Sequence, residues 1–381
     1  MSDYRPSWMD ENLDIYRNSV SRFVENEMQP HDERWREQGH IDKEIWRKAG
    51  AQGFLCSDIP AEYGGGGADF RYEAVFFEEQ WRRGLTGMGQ GVHSISAHYI
   101  VNHGTEAQKL KYLPKMASGE MIAAIAMTEP GTGSDLQAIT TKAVKDGEHY
   151  IVNGSKIFIT NGYLCELLVL IVKTDTNAGS KGLSLLLLET ADLPGYRVGK
   201  KLKKMGQKAQ DTVELFFEDV RVHESQLLGG EAGKGFYQLM SDLPYERSTV
   251  GIQGVALMEG AIEETLKYVK ERHVFGKPLM EMQNTRFKLA EVASLTRAAR
   301  VFIDSCVEKV VSGELDNATA SMSKWWISEL QQKIVDECLQ LHGGYGYMDE
   351  YLICRMYADS RVARIYAGTS EIMLEVVARS L

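Results

Sequence analysis

Several things are scarce in this sequence, and each scarcity removes a class of function. Its five cysteines (Cys56, Cys165, Cys306, Cys338 and Cys354) are widely spaced and form no C-x-x-C pair. That excludes a disulfide framework and a zinc site built on such a pair, and it fits a reducing compartment. Basic residues are in deficit, 43 Lys and Arg against 53 Asp and Glu, for a formal charge of −10. A general nucleic-acid surface needs a dense cationic face, so no nucleic-acid partner is expected. The one basic cluster, Lys200, Lys201, Lys203 and Lys204, reads as a solvated turn. No run of about 18 apolar residues occurs, so no integral membrane segment is expected. The first twelve residues carry Asp3, Asp10 and Glu11 and lack the apolar core of a signal peptide. A cytoplasmic, bacterial protein follows, with the mitochondrial matrix as its place only if a transit peptide has been trimmed. Proline is absent after Pro278, which frees the end of the chain for long helices.

What is present is an ordinary globular composition, 44% aliphatic and aromatic and 25% charged over 381 residues. At about 150 residues per domain this is room for two or three. Leu13, Tyr16, Val20, Phe23 and Val24 recur every three or four positions, as do Val292, Leu295, Ala299, Phe302 and Cys306. That spacing puts apolar side chains on one helix face, so both ends read as helical. From about 138 to 222 apolar residues alternate or run in short blocks, including Leu167 to Val172, Leu183 to Leu188, and Val213, Leu215 and Phe217. Asn153-Gly154 after Tyr150 and Val152 predicts a hairpin, and Asn161-Gly162 another turn. The coarse architecture is α+β and multidomain, with helical regions at 1–122 and 231–381 around a β insert at 123–230.

The run Gly64 to Gly67 lacks the strand, helix and downstream acid of a dinucleotide fingerprint and reads as a loop. More informative is Met127-Thr128-Glu129-Pro130-Gly131-Thr132-Gly133-Ser134-Asp135, a tight polar turn before the β segment. Such a turn can bring N–H groups and hydroxyls to the edge of a flat heteroaromatic ring, or serve as a structural turn alone.

This turn resembles the signature of the acyl-CoA dehydrogenase family, and four further segments match it in order. They are Gly154 to Gly162, Arg272-His273-Val274-Phe275-Gly276, Gln340-Leu341-His342-Gly343-Gly344, and Ile365 to Ile372. The stretch from Ala318 to Tyr351 is most similar to the long-chain branch. The resemblance implies an N-terminal α-helical domain, a central antiparallel β-barrel and a C-terminal four-helix bundle, assembled as a homotetramer, a dimer of dimers. It implies FAD as cofactor and an acyl-CoA as substrate, with electrons leaving to electron-transfer flavoprotein. Met127, Thr128, Gly133, Phe158, Ile159 and Thr160 would line the flavin, and Ser134 would touch flavin and CoA. Arg272 and Phe275 would hold the pyrophosphate and adenine end, with Gln283. Gln340, Gly343 and Gly344 would reach FAD from a neighbouring subunit, while Thr369 and Glu371 close the site. Without the family, Arg272 would read as a solvated arginine on a charged helix, and His342 as a helix-end residue.

Removing the α proton of a saturated thioester needs a base, and a carboxylate shielded from water suits it. Many members carry that glutamate just before the Gly-Thr of the last motif, where this chain has Ala367. In Asp242-Leu243-Pro244-Tyr245-Glu246-Arg247 the resemblance supplies the second position, and Glu246 is the expected base. Tyr245, Arg247, Ala367 and Gly368 would contact substrate, Ala367 through its backbone N–H. Small residues between Gln90 and Ser96, Gly91 and Ser94 among them, suggest a deep cavity for medium-to-long acyl chains. Two alternatives stay open: an acyl-CoA oxidase type of flavoenzyme, and a catalytically silent acyl-CoA and FAD-binding homologue. No metal is expected.

Overall fold

A computed structural model describes residues 4–381. Six helices open the chain: α1 (Glu11–Phe23), α2 (Asp32–Gln38), α3 (Lys43–Ala51), α4 (Phe70–Arg82), α5 (Gln90–His103) and α6 (Glu106–Ala117). Their ends are written in the sequence. Asp10 accepts from the Leu13 N–H at the start of α1, and Thr105 with Gln108 forms a capping box at α6. Seven strands follow, β1 (Ala123–Ala126), β2 (Lys142–Asp146), β3 (His149–Thr160), β4 (Leu167–Lys173), β5 (Leu183–Glu189), β6 (Tyr196–Lys201) and β7 (Thr212–His223). The chain then returns to helix: α7 (Gly235–Glu271), the two-residue strands β8 (His273–Val274) and β9 (Lys277–Pro278), α8 (Gln283–Ser312), α9 (Asn317–His342), α10 (Leu352–Ser360) and α11 (Ser370–Ala378). The C-terminal helical part is three long helices, with the short α10 and α11 packed on α9.

The expected barrel takes the form of a curled seven-stranded sheet, and its pairing is not wholly antiparallel. β1 runs parallel to β4, with Ala123 opposite Leu167, and β2 meets the end of β4 in parallel at Lys142 and Lys173. The remaining pairs, β2–β3, β3–β7, β4–β5 and β6–β7, are antiparallel. Asn153-Gly154 is not a hairpin: β3 runs through it, and the turn between β2 and β3 sits at Gly147. The register of β3 on β7 shifts between Val152 and Gly154, so the pair forms a bulge. Only glycine fits there, because φ is +151° and a Cβ would lie 2.5 Å from Thr141 Oγ1. The Asn153 amide is spent across the strands, donating to Asp219 Oδ1 and accepting its N–H, both at 2.9 Å.

Three apolar clusters hold the parts together. One runs from Leu13, Phe76 and Phe77 to Val255, Ile303 and Ile334, so N-terminal and C-terminal helices share a core. A second joins α5 and α6 to one sheet face through Ile100, Leu113, Val169 and Leu185, and a third fills the other face with Leu168, Leu170, Leu186 and Leu215. β4 is buried on both faces, which explains its unbroken Leu167–Val172 run. Lys204, expected in a solvated turn, is instead largely enclosed and donates to Thr212 Oγ1 at 2.9 Å. Among the described residues no helix is long and apolar enough to cross a membrane.

Candidate active site

The turn after β1 is built around a buried acid. Glu129 and Thr132 exchange backbone hydrogen bonds of 2.9 and 3.1 Å. The Glu129 carboxylate accepts from Thr140 N and Oγ1, Thr141 N and Lys156 Nζ at 2.6–2.9 Å. Burial works against its charge, but the Lys156 ammonium and the threonine donors prevail and hold it down at about 2. Lys156 is itself lowered to about 8, its burial outweighing the pairing. It also donates 2.9 Å to the Met127 carbonyl, and Ile157 N donates 2.9 Å to the Thr128 carbonyl. The motifs at 127–135 and 154–162, distant in sequence, thus become one wall.

On that wall Met127, Thr128 and Thr160 are half-buried, while Gly133 and Ser134 are exposed. Phe158 is 64% exposed with φ at +61°, turned outward where β3 shifts register on β7 between Lys156 and Ile159. An aromatic held in a sparsely populated backbone region with its ring in solvent suits a surface meant to be covered. Ile159 differs from expectation: its side chain is buried in the sheet core, so only its backbone can face a cofactor.

Arg272 ends α7 as its cap residue, in extended backbone rather than on the helix itself. It lines a cavity of about 560 Å³ together with Gln340, Gly343, Gly344, Tyr268 and Tyr345. Its guanidinium lies 5.7 Å from the Tyr345 ring centre. Added Cβ atoms at Gly343 and Gly344 would meet nothing within 4 Å, so the backbone there is open to close approach. An exposed guanidinium beside an open glycine turn and aromatic rings is the donor set a dinucleotide's phosphates and base require. Arg272 and Gln340 therefore share one surface. Phe275, 98% exposed with φ at +52°, and Gln283, exposed at the start of α8, do not line the cavity. His342 is a buried helix-end residue, its Nδ1 2.9 Å from the Cys338 carbonyl.

Glu246 sits inside α7, two residues after Pro244, with 8% of its surface exposed. Burial pushes its carboxyl up to about 7, with the Asp242 charge adding to the rise and the Tyr99 hydrogen bond and Arg247 opposing it. Tyr99 of α5, fully buried, donates its hydroxyl to Glu246 Oε1. Arg247 turns onto α9, donating to Asn317 Oδ1 and to Ser321 Oγ at 2.8 Å, and its buried Nε has no hydrogen-bond partner among the described residues. Tyr245 donates to Asp58 Oδ2 at 3.3 Å and packs on the His98 ring, centroids 3.8 Å apart.

One turn of α9 joins this helix to the last motif. Ser321 receives Arg247, and Lys324, three residues on and fully buried, donates to the Gly368 carbonyl. Burial, then the Arg247 charge, lowers Lys324 to about 8. Ala367 and Gly368 both have positive φ, +51° and +88°. Thr369 caps α11 by accepting from Ile372 N at 3.4 Å, and Glu371 lies exposed in its first turn, lowered by its own backbone N–H. Gln90 and Ser94 both donate to Glu73 Oε2, at 2.9 and 3.0 Å. At Gly91 an added Cβ would stand 3.5 Å from Gln253 Nε2, ordinary contact.

The comparisons agree along the whole length. Residues 10–120 match the N-terminal domain of acyl-CoA dehydrogenases, 124–220 the middle domain and 233–381 the C-terminal domain. The chain belongs to the acyl-CoA dehydrogenase family, FAD-dependent oxidoreductases of fatty-acid metabolism. A mitochondrial long-chain specific acyl-CoA dehydrogenase of Mus musculus is 47% identical over 371 residues, covering 97% of this chain and 86% of that one. An acyl-CoA dehydrogenase structure from Geobacillus kaustophilus superposes with a TM-score of 0.96 at 46% identity, covering 99% of each chain. A 3-(aryl)acrylate reductase of Clostridium sporogenes is 36% identical, covering 97% of this chain and 98% of that one.

In this acyl-CoA dehydrogenase the structure also reveals residues that sequence reasoning missed. Tyr99 is 147 positions from Glu246, in a stretch with no motif. His98, given no role from sequence, lies 3.3 Å from Asp58; burial would lower it, but that carboxylate lifts it to about 9. Lys324 and Ser321 were visible only as part of the long-chain resemblance.

Proposed function

We propose that the protein dehydrogenates medium-to-long-chain acyl-CoA to trans-2-enoyl-CoA, with Glu246 as base, and passes the electrons to electron-transfer flavoprotein. The observation that carries this reading is the buried Glu246 carboxylate, raised to about 7 and held by Tyr99. A base with that proton affinity is half ionised near neutral pH, where general-base catalysis is worth roughly two to four orders of magnitude. Tyr99 occupies Oε1, which leaves Oε2 to take the α proton. The Ala367 N–H polarises the thioester carbonyl, a donor of a kind worth about 3 kcal/mol. Lys324, by holding the Gly368 carbonyl, ties down the backbone two peptide units after that N–H. FAD, when bound, supplies the acceptor for the β hydrogen, which leaves as hydride while the α,β double bond forms.

Met127, Thr128, Phe158 and Thr160 would receive the flavin ring, with Gly133 and Ser134 on its rim. Arg272, Gln340, Gly343 and Gly344 line one cavity, so all four would hold the pyrophosphate and adenosine portion of one FAD. A homotetramer, a dimer of dimers, is supported by Phe275 and Tyr347, 98% and 82% exposed within the two segments that line this cavity. The preference for longer chains rests on the 47% identity to the long-chain specific relative.

Anaerobic absorbance titration with acyl-CoAs of increasing length, on wild type and Glu246→Gln, tests the reading. Bleaching of the yellow flavin in the wild type alone is expected. Bleaching in both would remove Glu246 as base, and bleaching in neither would leave a silent binding protein. Rapid peroxide formation on admitting air would replace the electron-transfer flavoprotein with oxygen as acceptor.

A further inference from the structure

Glu246 does not stand alone between α5 and α7. One turn before it, Asp242 is also buried and accepts from Asn102 Nδ2 at 2.7 Å and pairs with His103 Nε2 at 3.1 Å. His103 is braced in turn by Ser241 Oγ at 3.1 Å. The two helices therefore carry a ladder of two rungs, Tyr99 to Glu246 and Asn102 with His103 to Asp242. Tyr99 and His103 are four residues apart on α5, as Asp242 and Glu246 are on α7, so each pair shares a helix face. We propose that Tyr99 and Asp242 are positioning residues of opposite sign, the first holding the Glu246 carboxylate in its ionised form and the second opposing that ionisation. This rests on the reading of Glu246 as base.

The physical roles differ. Burial, then the Glu246 charge, pushes the Tyr99 hydroxyl well above its usual range, so it stays protonated and donates to the carboxylate. Asp242 is a second negative charge one turn, about 6 Å, along the same helix. Among the described residues the remaining charged neighbour of Glu246 is Arg247, also of α7, which favours ionisation; the Arg247 charge in turn lowers Lys324 of α9. Asn102 and His103 keep the Asp242 charge in place rather than in solvent.

The test uses the FAD-loaded enzyme and two readouts. Infrared difference spectra against Glu246→Gln isolate the Glu246 carboxyl stretch, whose loss with rising pH gives its midpoint without turnover. The pH dependence of kcat/KM for palmitoyl-CoA gives the same midpoint from its acid limb. Tyr99→Phe keeps the ring and is expected to raise the midpoint by about one unit, lowering kcat/KM about tenfold below it. Asp242→Asn keeps the shape and is expected to lower the midpoint by roughly half a unit, raising kcat/KM about threefold there. A purely structural role would move neither midpoint. The proposal is overturned if Asp242→Asn leaves the midpoint in place or raises it, whatever Tyr99→Phe does, and equally if Tyr99→Phe folds and leaves it in place or lowers it. Retained turnover in Glu246→Gln would remove the base reading, a separate outcome.

Discussion

Lys156, on β3, lies 2.9 Å from the carboxylate of Glu129, and both side chains are almost wholly removed from solvent. The pair welds the turn at 127–135 to the strand that carries Phe158, because the same ammonium also binds the Met127 carbonyl. Breaking a buried ion pair from one side strands a charge, at about 3–5 kcal/mol. Lys156→Met should lose stability of that order in urea unfolding and should release flavin more readily. Adding Glu129→Gln should recover part of the stability, since the stranded charge is then gone.

Glu246→Gln should stabilise the protein at neutral pH. The folded carboxyl titrates at about 7 against an ordinary 4.5. Between those values the native state keeps a proton that the unfolded chain releases, so stability falls as pH rises through this window and is flat above it. The loss amounts to about 3 kcal/mol at most. The variant lacks it, so its Tm should exceed that of the wild type at pH 8 and coincide at pH 4.5. Equal Tm values at pH 8 would show that Glu246 is not raised.

Turnover should require ionised Glu246. kcat/KM should fall tenfold per unit below about pH 7, the value to which burial lifts the carboxyl. A flat profile from pH 5 to 8 would contradict this.

Gly154→Ala should be costly for an exposed position. The new Cβ would overlap Thr141 at 2.5 Å in a backbone region open mainly to glycine. Strain of this kind costs about 1–3 kcal/mol, readable as a lower urea midpoint. Threonine removal, Thr141→Ala, should not rescue it fully, because Thr141 Cα is also 2.7 Å away.

Arg272→Ala should leave the fold unchanged and weaken FAD retention. Its guanidinium is exposed in the cavity with Gln340, and a charge-assisted contact to phosphate is worth roughly 1.5–3 kcal/mol. Flavin content after dialysis should drop by at least tenfold in affinity terms; unchanged retention would place the pyrophosphate elsewhere.

The sequence by itself determined the order of helical and β regions, the two motifs that the structure brings into one wall, and the glutamate proposed as base in place of the one missing at Ala367. Those features are local: apolar periods of 3.6 and 2, turn residues, and short runs whose chemistry is complete within ten residues. Asn153-Gly154 shows the limit of that logic, since a strong turn signal became a bulge once β3 found β7 and Thr141 crowded the glycine. Only tertiary structure decided that Arg272 and Gln340 share a cavity, that Lys324 grips Gly368, and that Tyr99 and Asp242 bracket Glu246. Proton affinity at Glu246 is set by burial, by a hydrogen bond from a tyrosine 147 positions away and by the charges of Asp242 and Arg247, and such terms depend on distance through space, which spacing along a chain does not encode.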